Sequence, residues 1–319
     1  MGVGTMNLSE ISRLSEDQAR EYFEKIRWPN GRICPHCGSV ESVKLHGKAH
    51  RVGLYKCSGC KGQFTATMDT ILEDSHLPIR IWLMAFSILC SAKKGISALQ
   101  LQRQLGLGSY RSAWHLAHRI RHAMARDPLK GLLGVGGGTV ETDETWVGGK
   151  PRKRAGKRQP GESRERPVPR KTRVVGLVER GGRARAHVVP DLTGPTLKAA
   201  VRAHVDPSAR LMTDENHAYF GLGNEFVGGH HVVNHSAGEY ARGDATTNTV
   251  EGFFGLFKRG VTGSFHHVSE KHMNRYLNEF SFRWDLRKVT DGERTVEAIK
   301  SSEGKRLMYR TPINADKSM

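Results

Sequence analysis

Polar and apolar positions repeat with two different periods along the chain, and the switches between them outline its elements. Residues 15–27 read as a short helix, opened by Ser15 with Gln18 three positions later in capping-box spacing. Residues 79–92 are almost continuously apolar and predict a buried helix. Two further helices, 97–105 and 109–125, flank a turn at Gly106 and Gly108. In the second, Ala113, Ala117, Ile120 and Met124 form an apolar stripe opposite Arg111, His115, Arg119 and His122. The period then changes to two. Residues 138–150, GTVETDETWVGGK, read as a strand that places Glu141 and Asp143 on one side and Glu144 on the other. Residues 173–179 and 185–189 read as a hairpin about Gly181-Gly182, 196–205 as a helix, and 210–213 as a short strand ending in Asp214.

Helical spacing returns in 246–262. Val250, Phe253, Phe254, Phe257 and Val261 share one face, and Asn248, Glu251, Gly255 and Lys258 an adjacent one. A helix over 269–288 carries the stripe Met273, Tyr276, Leu277, Phe280 and Trp284. Its Arg275, Arg283, Arg287 and Lys288 suit phosphate contacts or a plain solvated face. Beyond Thr290 the chain is mostly polar and is expected to fray. The order strand, strand, strand, helix, strand within a largely helical chain predicts a multidomain α/β (α+β) protein.

Composition adds the partner. The 319 residues carry 50 Lys and Arg against 32 Asp and Glu, a formal charge of +18. Such a balance points to a polyanion, most often nucleic acid. A basic membrane-surface protein would need a Lys-rich amphipathic helix or a lipidation signal, and Met6 stands where a myristoylation motif needs Ser or Thr. The apolar run 79–90 contains Arg80 and is too short to span a bilayer, and no signal-peptide core opens the chain. A cytoplasmic protein without membrane association is expected.

In that compartment the five cysteines point to metal rather than disulfides. Cys34-Pro-His-Cys37 and Cys57-Ser-Gly-Cys60 bracket a strand-like insert, the spacing of a zinc ribbon. Four thiolates leave no open position, so this Zn²⁺ would be structural. Cys90 reads as a small buried apolar residue. The two helices across the Gly106–Gly108 turn suit either a DNA-reading helix-turn-helix, through Arg111 and Arg119, or an ordinary helical hairpin. The glycines of 134–138 lack the Lys-Ser/Thr of a phosphate loop and mark a domain boundary instead. Residues 150–173 hold eleven basic residues, two acids and four prolines; they cannot bury a core and should form a mobile insert making loose phosphate contacts.

Asp143, Asp214 and Glu251 then form a set: one from the first strand of the second half, one from the end of the fourth, one from a later helix. Three hard oxygen donors suit Mg²⁺ or Mn²⁺, and without a cation their mutual repulsion would be costly. Asp143 would bridge two ions if its strand is central in the sheet. A metal site built from His230, His231, His235, His266 and His267 is the rival, although these lack regular ligand spacing.

ETDETWVGGK, TDENHAY, TTNTVEGFFGLFKRGVTGSFHHVS and NRYLNEFSFRWDLR, behind a ribbon of the CPHCGS…CSGCKGQF kind, resemble the DDE-type insertion-sequence transposases of the ISXO-like group over about residues 15–290. The resemblance implies a ribonuclease-H-like catalytic domain with a mixed sheet and the triad Asp143, Asp214 and Glu251. It also implies contacts to transposon-end DNA from Lys258, spaced as in related transposases, with Arg259 and Asn248 beside it. Phe254 stands where Trp is expected, a change that leaves packing plausible.

The organisation expected is a helix and ribbon over 1–76, a helix-turn-helix-like segment over 77–130, the catalytic domain over 136–290 with the basic insert, and a polar tail over 291–319. The activity expected is Mg²⁺-dependent cutting of the element's ends and joining of the freed ends to target DNA. The partners expected are the terminal inverted repeats, target DNA and further copies of the chain. A DNA-binding regulator without catalysis and a RuvC-like junction nuclease are the alternatives.

Overall fold

The computed structural model describes residues 4–47, 49–125, 131–148, 171–239 and 241–309. The chain divides into two units, 1–126 with 286–319, and 127–285.

The first unit opens with α1 (Leu8–Ser12) and α2 (Glu16–Arg27). The predicted capping box of α2 is formed: the Ser15 hydroxyl accepts from the Gln18 amide, and the Gln18 side chain accepts from the Ser15 amide. Helix α2 buries Tyr22, Phe23 and Ile26. The ribbon is a three-stranded antiparallel sheet, β1 (Ser42–Lys44), β2 (Leu54–Cys57) and β3 (Gln63–Thr65). Its small core is aromatic: the rings of Trp28, Tyr55 and Phe64 meet at centroid distances of 5.7–6.1 Å. Helix α3 (Ile79–Ser91) is buried as its apolar run predicts. Helices α4 (Ala98–Leu105) and α5 (Tyr110–Ala123) follow, separated by a turn in which Gly106 takes the left-handed conformation that ends α4.

The second unit is built on β4 (Thr139–Val147), β5 (Thr172–Glu179), β6 (Ala184–Val188), α6 (Gly194–His204), β7 (Arg210–Asp214), β8 (His230–Val233), α7 (Asn248–Gly260) and α8 (Glu270–Asp285). The sheet order is β6-β5-β4-β7-β8, antiparallel through β6, β5 and β4 and parallel through β4, β7 and β8. So β4 is central, the position assumed for the strand carrying Asp143. One face of the sheet buries Val140, Val175, Leu177 and Leu211 against Leu197 and Val201 of α6. The other buries Val147, Val174 and Val178 against Val250, Phe253, Phe254 and Phe257 of α7 and Met273, Leu277 and Phe280 of α8.

Three elements, α1, β8 and α9, lie outside the sequence reading. Strand β8 was not expected; its HHVV pairs with β7 along the sheet edge and is too short to show an alternation. The segment read as a polar tail forms α9 (Asp291–Lys300) within the first unit. Thr290 and Glu293 make a capping box there, and Val296, Ala298 and Ile299 are buried. Arg294 donates to the Cys90 carbonyl at the end of α3, which ties the helix down. All but the last three residues of the basic insert at 150–173 lie outside the described residues.

Candidate metal centres and nucleic-acid interface

The four ribbon cysteines come together with their sulfurs within 4.8 Å of one another. Cys34 and Cys60 are 3.8 Å apart, and Cys37 and Cys57 3.6 Å. A tetrahedron with Zn–S bonds of about 2.3 Å has edges of about 3.8 Å, so the cage fits Zn²⁺. The Cys57 thiol is lowered to about 6, first by the backbone amide of Cys60, which favours the thiolate a metal needs. A structural Zn²⁺ site is therefore built by the turn before β1 and the turn between β2 and β3.

The second centre sits where the parallel pairing of β4 with β7 gives out: Asp143 and Glu144 lie mid-way along β4, just past its last residue paired with β7, and Asp214 ends β7. Asp143, Glu144 and Asp214 offer carboxylate oxygens within 4.8 Å of one another. Asp143 accepts from the Glu144 amide at 2.7 Å, and Asp214 from the Asn216 amide at 3.2 Å. The Asp143 carboxyl is raised to about 7, first by burial, then by the charges of Glu144 and Asp214. Asp214 is also raised, chiefly by burial. A cluster of half-buried oxygen donors, two of them aspartates whose ionisation burial opposes, fits a hard divalent cation.

Alternation places Glu144 on the α6 face, opposite Asp143, and its carboxylate does reach that side: the Tyr219 hydroxyl and the Asn216 side-chain amide both donate to it. It nevertheless joins the cluster. The β4–β7 pairing ends at Glu141↔Met212, and the chain after Asp214 turns through Asn216 to Tyr219 past the end of β7. There a long side chain reaches the acids from the far face. Asn216 and Tyr219 are the support that sequence reasoning passed over, although both lie within TDENHAY.

Glu251 approaches from the first turn of α7. It lies outside the 4.8 Å set among the described residues, but its charge contributes to raising Asp143. Its carboxylate accepts from the Thr247 hydroxyl at 2.9 Å and lies 3.6 Å from Nε2 of His235. Helix α7 sits close to the sheet because Gly176, paired opposite Asp143, has no side chain: a Cβ there would come within 2.6 Å of the Phe254 ring. Glu215 holds the loop that carries His235, accepting from the backbone amides of His235 and Ser236 at 2.8 and 2.9 Å.

The histidine rival is not assembled among the described residues. His230 bonds the Thr213 hydroxyl, His231 accepts from Arg210, and neither joins a metal-holding group.

Of the residues expected at DNA, Asn248, Lys258 and Arg259 are exposed on α7, and Arg111 is exposed in the first turn of α5. Arg119 is not on such a surface. It is 6% exposed, its guanidinium lies 5.2 Å over the Trp82 ring, and it donates to the Glu73 carbonyl. Helix α5 is buried more widely than a single stripe implies, enclosing Arg119 and Arg121 as well as its apolar positions. Arg283 of α8 is likewise buried, paired with Glu279 at 2.6 Å.

Residues 135–285 match the family model of the ISXO2-like transposase domain, and residues 14–63 that of the transposase zinc-ribbon domain. The chain is also similar to an uncharacterized protein in transposable element ISH50 of Halobacterium salinarum. The two are 29% identical over 292 residues, covering 86% of this chain and 92% of that protein.

Proposed function

We propose that the chain, whose residues 135–285 and 14–63 match the ISXO2-like transposase domain and the transposase zinc-ribbon domain, is a transposase that cuts the ends of its element and joins them to target DNA, using Asp143, Asp214 and Glu251. The observation that carries this reading is the carboxylate cluster of Asp143 and Glu144, mid-way along the central strand β4, with Asp214 at the end of β7. Asp143 and Asp214 would hold Mg²⁺ or Mn²⁺, with Glu251 completing the set from α7. When bound, such ions supply charge compensation at the attacking and leaving oxygens of a phosphodiester.

The reaction has two steps. Water attacks phosphorus at the element's end; the P–O3′ bond breaks, and the departing oxygen takes a proton to become a 3′-hydroxyl. That hydroxyl then loses its proton and attacks a target phosphodiester, whose own 3′-oxygen leaves, so the number of phosphodiester bonds is conserved. The chain's groups hold and orient. Thr247 and His235 fix the Glu251 carboxylate, and Asn216 and Tyr219 fix Glu144. Lys258, Arg259 and Asn248 present donors to end DNA from α7. In the first unit, the ribbon and the α4–α5 pair would read the inverted repeats, with Tyr110 and Arg111 at the exposed start of α5, the part of a recognition helix that meets base edges. Because two ends must be joined, a dimer or larger assembly is expected on DNA.

The test is Mg²⁺-dependent cleavage of DNA carrying the element's ends, by variants at Asp143, Asp214 and Glu251. Each Ala substitution should lower cleavage by at least about 100-fold while end binding persists. Undiminished cleavage in any of the three removes that residue from the site. Preference for a four-way junction over inverted repeats would instead mark a structure-specific nuclease.

A further inference from the structure

Glu141 stands two residues before Asp143 on the same strand, yet it is fully buried and does not belong to the carboxylate cluster. Its carboxylate is consumed elsewhere. One oxygen accepts from Arg180 Nε at 2.6 Å and from the Thr249 hydroxyl at 2.8 Å. The other accepts from the backbone amides of Thr249 at 2.6 Å and Val250 at 3.1 Å. Those amides are the second and third of α7, the groups that an N-cap side chain normally satisfies. The N-cap residue itself, Thr247, makes no such bond; its hydroxyl donates to Glu251 and lies 3.0 Å from His235 Nε2 instead. A buried anion from the central strand therefore caps the helix in its place, at the end where the helix dipole favours negative charge. Arg180 completes the clamp by donating to the carbonyls of Asp244 and Thr246, just ahead of α7.

The next residue after the two capped amides is Glu251. We infer that Glu141 is the positioning residue for Glu251: by locking the first turn of α7 to β4, it sets the depth and rotation at which Glu251 meets Asp143 and Asp214. This rests on the triad reading above. A charge so deeply buried needs its bonds, and the bonds it makes reach α7 and its entry from the strand that carries Asp143. Neutralising it weakens both the ion pair with Arg180 and the charge-assisted bonds to the amides. The turn bearing Glu251 then gains freedom, and the acids hold a divalent cation less tightly.

The experiment is Mn²⁺ binding to the full chain, followed by electron paramagnetic resonance, for Glu141→Gln, Glu251→Ala and the double variant, with thermal unfolding followed in parallel. Glu141→Gln should weaken Mn²⁺ binding by about tenfold, the scale on which groups behind a metal's ligands act. In the Glu251→Ala background it should cause no further loss, because its effect passes through Glu251. An equal loss in both backgrounds, or none in either, overturns the inference. A loss confined to the Glu251-containing chain is not what simple destabilisation produces. If Glu141→Gln does not fold, Glu141→Asp reads the same cycle, since it keeps the charge but withdraws it by one methylene from the amides. Glu251→Ala with unchanged Mn²⁺ affinity would sink the triad reading itself, which separates that failure from failure of the positioning role.

Discussion

Asp143 shows how far a single residue's behaviour is set by its neighbours. Its carboxyl rises from 3.8 to about 7 through burial and the adjacent Glu144 and Asp214 charges. The folded state thus holds this proton more tightly than the unfolded chain. The stability this group contributes is fully present below about pH 3.8 and is lost as pH rises through about 7. Metal-free protein should accordingly lose melting temperature between about pH 4 and 7, with a shallower slope in Asp143→Asn. Calorimetry of the two proteins across that range checks this. The same proton competes with the cation: apparent Mn²⁺ affinity should fall about tenfold for each pH unit below about 7, per proton displaced. A flat affinity profile would mean that Asp143 is ionised without metal. The spacing of acids along β4 was plain in the sequence, but alternation alone could not tell which acid was free. Glu141 and Asp143 share a face, and only the arrival of Arg180 and the α7 amides shows that Glu141 is occupied.

Among the elements, α7 and the ribbon make opposite demands. Helix α7 needs close contact with the sheet. Gly176→Ala would drive a methyl into Phe254 and should cost about 1–3 kcal/mol by overpacking, read from denaturant unfolding. Cleavage should fall by more than end binding, because α7 carries Glu251. The ribbon has too small a core to stand alone, and its folding should be tied to its metal. Chelation of Zn²⁺ should melt β1–β3 and weaken end binding while the second unit keeps its folded signature; hydrogen exchange of the two units separates these outcomes. Helix α9 was legible in principle. Thr290 with Glu293 has capping-box spacing, but with few apolar positions the segment does not show where its buried face would find a partner. Arg119 was misread for a related reason: periodicity marks a basic stripe, and only packing shows that the stripe at that turn lies against Trp82.

At the scale of the whole molecule, the charge of +18 predicts DNA binding that weakens steeply with salt. Replacing Lys258 and Arg259 together by Gln should reduce the slope of log affinity against log salt by about two, if both meet phosphate. Fluorescence anisotropy with end DNA over a salt series gives that slope. No helix among the described residues is long and apolar enough to cross a membrane. Sedimentation with and without end DNA tests the assembly expected from pairing two ends: a change in stoichiometry on DNA supports it, and a lone monomer on each end counts against it.

The sequence by itself determined the metal chemistry of the ribbon, the order of the main elements, and two of the clustered acids. Local spacing carries those facts: CxxC turns, strand alternation and helix periodicity act over a few residues. The tertiary structure decided what depends on approach between distant segments. It made β4 central, brought the Glu144 carboxylate into the group with Asp143 and Asp214, buried Arg119, and turned Glu141 from a third acid of the strand into the cap of a helix more than a hundred residues away. A carboxylate's role follows from which donors reach it, and those donors are brought there by packing.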